Sequence, residues 1–386
     1  MKLATFLADK PLYYDTIDYD RMPLAYQEIK GHITLPKIIH IVGTNGKGST
    51  GRFLAQMLQN QGFSTGHYTS PHIFKFNERI WLNGHSVSDD LLETSHQMLQ
   101  RLFSQTIINT LSYFEYTTFL AMLVFSKRCE FIVLEAGLGG EHDGTNIFPK
   151  IMSLFTPIGL DHQNFLGTTI KEIATTKLES MGPLVLIASQ YEKEVNSIAK
   201  EIAKTKGASL YFTKDILSEE DKIRVDRLIE KNQWPDFQKI NLSGALCALK
   251  LLRLSTHFSE DALVLMQGRC QKISANVTLD VGHNPMAARA ITDYFHNKKI
   301  NLIYNSFIDK NYEEILRILA PIINKVELLR LDNPRGMADK EIRKICESMG
   351  IEVADFEEIK QERNYLVFGS FSVAEKFLKI YTKERK

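Results

Sequence analysis

Ile38-Ile39-His40-Ile41-Val42-Gly43-Thr44-Asn45-Gly46-Lys47-Gly48-Ser49-Thr50 is the stretch from which the rest of this chain can be read. A β-branched apolar run enters a glycine-rich turn, and Lys47 and Ser49 lead into a helical pattern of Phe53, Leu54, Met57 and Leu58. Strand, turn and helix in that order are the context in which a glycine pattern binds phosphate. Glycines let backbone N–H groups close around an oxyanion, and the helix start adds the positive end of its dipole. In the loop from Gly43 to Thr50, Lys47 is expected to reach the outer phosphates of ATP and the Ser49 hydroxyl to sit on Mg²⁺. The competing reading is a glycine turn with no ligand.

Outward from that loop, apolar strands alternate with helices. Phe131–Leu134, Ile151–Phe155 and Leu184–Ala188 read as continuous apolar strands, with helical stretches around Phe119–Leu123 and over Ile170–Met181. Such strands separated by helices indicate a mainly parallel sheet covered on both faces, an α/β fold. The polar region 190–235 gives no clear pattern. A helix over Asn241–Leu254 closes the first block, and the boundary is expected near Ser255–Gln267. The alternation then restarts, with strands at Val277–Leu279, Asn301–Tyr304, Val326–Leu329 and Tyr365–Val367 and helices from Pro285, Tyr312, Asp339 and Ser372. The expected domains are therefore 1–262, which binds nucleotide, and 263–386, a smaller Rossmann-like α/β unit without the G-x-G-x-x-G fingerprint.

A length of 386 residues suits two or three domains, and 44% hydrophobic residues supply ample core. The net charge of +1 offers no broad footprint for nucleic acid. Cys129, Cys247, Cys270 and Cys346 are scattered without paired spacing, as expected of reduced thiols in a cytosol. No signal pattern and no apolar span of membrane length stand out. The expectation is a soluble cytoplasmic monomer, with neither nucleic acid nor membrane as a partner.

Two carboxylates sit just beyond strands. Glu135 ends the Phe131–Leu134 run ahead of Ala136-Gly137-Leu138-Gly139-Gly140, and Asp161-His162 follows Thr156-Pro157-Ile158-Gly159-Leu160. Open parallel sheets bind ligands at the carboxyl ends of their strands, so these groups and the glycine loop are expected to share a crevice. Mg²⁺ prefers oxygen, and one imidazole is compatible with a phosphate-bound Mg²⁺ or Mn²⁺. The bland alternatives are a capped turn for Glu135 and a surface or satisfied core residue for His162.

The compact G-x-x-G-K-G-S loop resembles that of the Mur ligase superfamily, whose members make amide bonds at the expense of ATP. With Thr69-Ser70-Pro71-His72, Glu78-Arg79-Ile80, Asp143-Gly144-Thr145-Asn146, Gly159-Leu160-Asp161-His162 and Leu279-Asp280-Val281-Gly282-His283-Asn284-Pro285, the chain is similar to folylpolyglutamate and dihydrofolate synthases over roughly residues 15 to 375. The resemblance implies that two domains jointly build one ATP and amino-acid site. Ser49, Ser70, Glu135 and His162 would surround one or two Mg²⁺ ions. Asn241 would contact adenine, Asp280 the ribose with His283 beside it, and Arg269 would reach the phosphates across a cleft. Phe114 would stack on a pterin and Asp143 meet its N–H donors, while Ile17–Arg21, with Asp18 and Arg21, lies where a dihydropteroate loop belongs. Lys177 falls where the family carries a carbamylated lysine, although Thr176-Lys177-Leu178-Glu179-Ser180 departs from the usual Glu-Lys-Ala-Gly-Ile. Glu141 replaces the usual Arg after Gly-Gly, and Asp280-Val281-Gly282-His283 the usual Asp-Gly-Ala-His.

The implied reaction is ATP-dependent addition of L-glutamate to dihydropteroate and to the γ-carboxylate of reduced folates through an acyl phosphate, with Lys47, Lys177, His162 and Arg269 in catalytic roles. Folate glutamylation alone is the alternative, followed by another Mur-type ligation. A UDP-peptide ligase would need a further N-terminal domain, and only 37 residues precede Ile38. A motor or switch NTPase would carry a longer loop. A non-catalytic scaffold would have no use for the retained charged set.

Overall fold

The computed structural model describes residues 1–12, 18–331 and 338–383, and these form two compact units. One comprises Met1–Leu228 with Gln238–Val264, the other Ile229–Phe237 with Leu265–Lys386.

The first unit is built on an eight-stranded sheet: β1 Lys37–Val42, β2 Thr65–Tyr68, β3 Ile80–Leu82, β4 His85–Ser86, β5 Phe131–Glu135, β6 Met152–Phe155, β7 Leu184–Ile187 and β8 Ser209–Phe212. Their order is β4-β3-β2-β5-β1-β6-β7-β8, parallel from β2 to β8 with the β3–β4 hairpin antiparallel at one edge. β1 is central because Ile38, Ile39, Ile41 and Val42 are all buried, and only a strand covered on both faces accepts so continuous an apolar run. Ile132 and Leu134 of β5 join a core with helix Tyr113–Phe125, whose Phe119 meets Phe103 and Phe148 edge to face. Val42, Phe155, Val185 and Ile187 join another with helices Ile170–Leu178 and Lys193–Lys206. Register sets the functional edge. Ile41 pairs with Glu135 and Val42 with Phe155, so β5, β1 and β6 end side by side.

The polar stretch 190–235 contains β8 and helices Lys193–Lys206, Thr213–Ile216 and Glu219–Lys231. Helix Gln238–Leu251 begins one turn earlier than the leucine spacing suggests, because its first turn carries Gln238 and Asn241, which are buried polar residues.

The second unit carries six strands: β9 Gln271–Ser274, β10 Val277–Leu279, β11 Ile300–Tyr304, β12 Ile323–Leu328, β13 Glu352–Asp355 and β14 Tyr365–Phe368. The order is β13-β12-β11-β14-β10-β9, parallel except for β9. Leu302, Tyr304, Val326, Leu366 and Phe368 pack there against Ile291, Ile315, Leu319 and Ile342 from the flanking helices. Among the described residues no helix is long and apolar enough to cross a membrane.

Candidate active site

Gly43–Gly46 links β1 to helix Lys47–Asn60, and sterics dictate its glycines. Gly46 caps the helix at φ +86°, and a Cβ there would lie 2.3 Å from Oδ1 of Asn241. At Gly43 a Cβ would fall 2.0 Å from the Thr156 hydroxyl. Gly46→Ala is therefore expected to cost about 1–3 kcal/mol of stability, read as a lowered Tm, and to weaken nucleotide binding in a titration. A variant with unchanged Tm and affinity would show the loop to be more tolerant than its geometry.

The loop is braced from β6 and its following turn. The N–H groups of Thr44 and Asn45 donate to the Pro157 carbonyl at 2.9 and 3.2 Å. The Thr44 hydroxyl donates to Gly159 O at 3.0 Å and accepts from Gly159 N at 3.1 Å. Two of the amides proposed for the phosphate cradle thus hold the loop's shape. The helix itself leaves open the first-turn amides of Lys47, Gly48 and Ser49, whose N–H groups have no carbonyl four residues back within the helix.

Charge gathers around Gly43. The Lys47 ammonium donates to Gly43 O at 3.2 Å and Thr44 O at 3.3 Å, and stands 4.0 Å from the buried Glu135 carboxylate. Lys177, from helix Ile170–Leu178, donates to the same Gly43 carbonyl at 3.1 Å. Burial, followed by repulsion from Lys47, pushes its ammonium down to about 7. Gly140 is a glycine because a Cβ would sit 2.5 Å from the Lys177 carbonyl.

Glu135 accepts from the Thr69 hydroxyl and from Ser70 N at 3.3 Å, both just past β2. Thr69 is not singled out by the sequence reading, although it adjoins Ser70 in Thr69-Ser70-Pro71-His72. Arg52 and His67 were also missed. The guanidinium lies 5.0 Å over the Trp81 ring and donates to His67 Nδ1 at 3.2 Å, tying the loop's helix to β2. A cation inside an apolar helix pattern was the available signal. Ser49 is buried at the helix start, and His162 caps the short helix Gln163–Leu166 at φ +51° with its N–H on Asp161 at 2.9 Å. Asn241 accepts from the Thr50 hydroxyl at 3.2 Å and donates to Gln238 at 2.8 Å.

Among the residues expected to meet a pterin, the Phe114 ring covers Gly137, where a Cβ would approach its Cζ to 2.5 Å. Asp143 is buried, accepting from Leu138 N at 2.8 Å, Thr145 N at 2.9 Å and the Thr145 hydroxyl. Arg21 pairs with Glu115 at 2.9 Å, and Asp18 accepts from Asp20 N and Arg21 N. Ile17 lies outside the described residues.

In the second unit, Asp280 directly follows β10 and accepts from Cys270 N at 2.8 Å and Gly282 N at 2.7 Å. Burial raises its carboxyl while Arg269 opposes the shift. Arg269 lies 5.3 Å over the Phe371 ring, the His283 ring meets Val281 O at 3.1 Å, and Asn284 caps the helix from Pro285.

Residues 41–252 match the Mur ligase middle domain. The dihydrofolate synthase/folylpolyglutamate synthase of Bacillus subtilis is 30% identical over 343 residues, 79% of each chain. The crystal structure of Helicobacter pylori folylpolyglutamate synthetase superposes with a TM-score of 0.80 at 41% identity, covering 99% of this chain and 98% of its own. Escherichia coli FolC in complex with DHPP and ADP shares the fold at a TM-score of 0.82 and 23% identity, covering 100% of this chain and 99% of its own. The chain therefore belongs to the dihydrofolate synthase/folylpolyglutamate synthase family of Mur ligases.

Proposed function

We infer that this protein is an ATP-dependent ligase that joins L-glutamate to the carboxylate of dihydropteroate and to the γ-carboxylate of reduced folates. The observation that carries the reading is the braced glycine loop with Lys47 beside Glu135 at the ends of β1 and β5, in a chain of this family. A carboxylate is a poor electrophile. Transfer of the γ-phosphoryl group breaks the bond to the β-phosphate oxygen and turns the acid into an acyl phosphate. The glutamate nitrogen then attacks its carbonyl carbon, and phosphate leaves with the C–O electron pair. Lys47 meets charge on the moving phosphoryl group, usually the largest contribution in such transfers.

The donor set fits a magnesium ion: Glu135 is buried and acceptor-only, and Ser49, Ser70 and His162 add two hydroxyls and an imidazole. Such an ion would supply positive charge to phosphate oxygens. Lys177 in this reading is a carbamate. Arg269, Asp280, His283 and Asn241 are proposed nucleotide contacts, and Phe114, Asp143, Asp18 and Arg21 pterin contacts, with residues 263–386 as the glutamate-ligase domain. The protein acts as a monomer on small molecules in the cytoplasm.

Purified protein with ATP, Mg²⁺, L-glutamate and either dihydropteroate or tetrahydrofolate is expected to yield products heavier by one glutamyl residue from both acceptors. Product from neither would overturn the reading. Product from tetrahydrofolate alone would restrict it to folate glutamylation, the activity in the name of the Helicobacter pylori relative.

A further inference from the structure

Behind the turn that carries Asp143 runs a chain of hydrogen bonds with no part in the reaction above. Lys150, two residues ahead of β6, reaches three acceptors: Asn146 Oδ1, the Ser180 carbonyl at 3.2 Å and His40 Nδ1 at 3.4 Å. His40, fully buried on β1, contacts the Thr145 hydroxyl through Nε2 at 2.7 Å. That hydroxyl contacts Asp143 Oδ1.

The direction of every link follows from one end. An ammonium has three donors and no acceptor, so all three N–H bonds are used and His40 Nδ1 must accept. A neutral imidazole then carries its proton on Nε2 and donates it to Thr145. The Thr145 hydroxyl, already accepting, donates to Asp143. Burial and the nearby Lys150 charge both hold His40 neutral, well below its ordinary value. Asp143 therefore stays an acceptor of two backbone N–H groups and one hydroxyl, and the turn from Gly137 to Thr145 is pinned at both ends beneath Phe114.

We propose that Lys150 is a positioning residue for the pteroate subsite: acting through His40 and Thr145, it orients the Asp143 carboxylate and holds the 137–145 turn in the shape that receives the pterin ring. This rests on the pterin reading of Phe114 and Asp143 given above. The charged groups around Lys150 are Asp143, which favours its cation, and Lys206 from helix Lys193–Lys206, which opposes it and is itself paired with Glu179 at 2.9 Å. Burial brings Lys150 down to about 8. Above that pH a neutral amine can accept from His40, the imidazole proton can move to Nδ1, and Thr145 can turn its hydroxyl away from Asp143.

Lys150→Met and Thr145→Val test the chain from opposite ends. The KM for the pterin acceptor is expected to rise roughly tenfold in each, as for loss of a hydrogen bond to a charged group, with the KM for ATP within about twofold of the parent. The double variant is expected to be no worse than the more damaged single one, because both break one chain. The parent's acceptor KM is expected to climb as pH passes about 8, and that limb to vanish in Lys150→Met. Nitrogen NMR of the His40 ring reads the chain without catalysis, with the Nε2–H tautomer expected at pH 7 in the parent. Additive effects, an equal rise in the KM for ATP, or an Nδ1–H tautomer in the parent would overturn the proposal. An inactive parent with the Nε2–H tautomer would instead count against the pterin reading and leave the hydrogen-bond chain established.

Discussion

Lys47→Ala is expected to lower glutamate-dependent ADP release by roughly a hundredfold or more, with Tm nearly unchanged. Its ammonium makes no close tertiary hydrogen bond among the contacts described. It donates only to the carbonyls of its own loop, Gly43 and Thr44, and faces Glu135 at 4.0 Å among the contacts described. Those are weak attachments for a cation, and phosphate oxygens are better acceptors than neutral carbonyls. The loop keeps its shape without the side chain, since Thr44, Asn45, Pro157 and Gly159 brace it through the backbone and one hydroxyl. A hundredfold loss corresponds to about 2.7 kcal/mol of transition-state stabilisation, within reach of one charge placed where phosphoryl charge develops. Steady-state ADP release and a thermal melt on the same preparation decide the matter. Near-normal turnover would remove Lys47 from the chemistry, whereas a large drop in Tm would mean that the loss reports folding.

The strand–loop–helix core was legible because its residues leave few options. Ile38 to Val42 reads as a strand buried on both faces, and a turn holding Gly43 and Gly46 before Lys47 has the pattern of an anion-binding loop. Four of the second unit's six strands and its helix starts were as readable, since they recur with short connections, whereas β9 and β13, with few apolar residues, were not. The stretch 190–235 was not, because helix Glu219–Lys231 is largely charged and β8 alternates exposed with half-buried residues. Nor could periodicity show that Ile229–Phe237 belongs with the second unit. The links that tune the site join residues far apart in the chain, such as His40 with Lys150 and Arg52 with His67. Inside an apolar run a histidine gives no hint of its partner. Asp143 shows the same limit from another side: its acidic character was visible, but its engagement with Leu138 and Thr145 is a property of the folded turn.

Carbamylation of Lys177 is the other change with a large expected consequence. The side chain is buried, and burial with Lys47 nearby lowers its ammonium to about 7, so a free amine lone pair is accessible near neutral pH. That nitrogen can attack CO₂, losing one proton to solvent and gaining a carboxylate. The remaining N–H can still donate to Gly43 O, while repulsion between two lysines becomes attraction between an anion and Lys47. Rising pH favours the adduct, because each deprotonated amine is a nucleophile and each protonated one is not. Carbon-labelled bicarbonate is expected to give one carbamate resonance in the wild type and none in Lys177→Ala. Turnover in that variant should fall on the order of a hundredfold, as for loss of a charged group at a phosphoryl-transfer site. Stripping CO₂ from the wild type should lower turnover, and adding bicarbonate should restore it. Full activity in CO₂-free buffer, with no labelled resonance, would leave Lys177 as an unmodified amine bound to Gly43, its charge set only by burial and its neighbours.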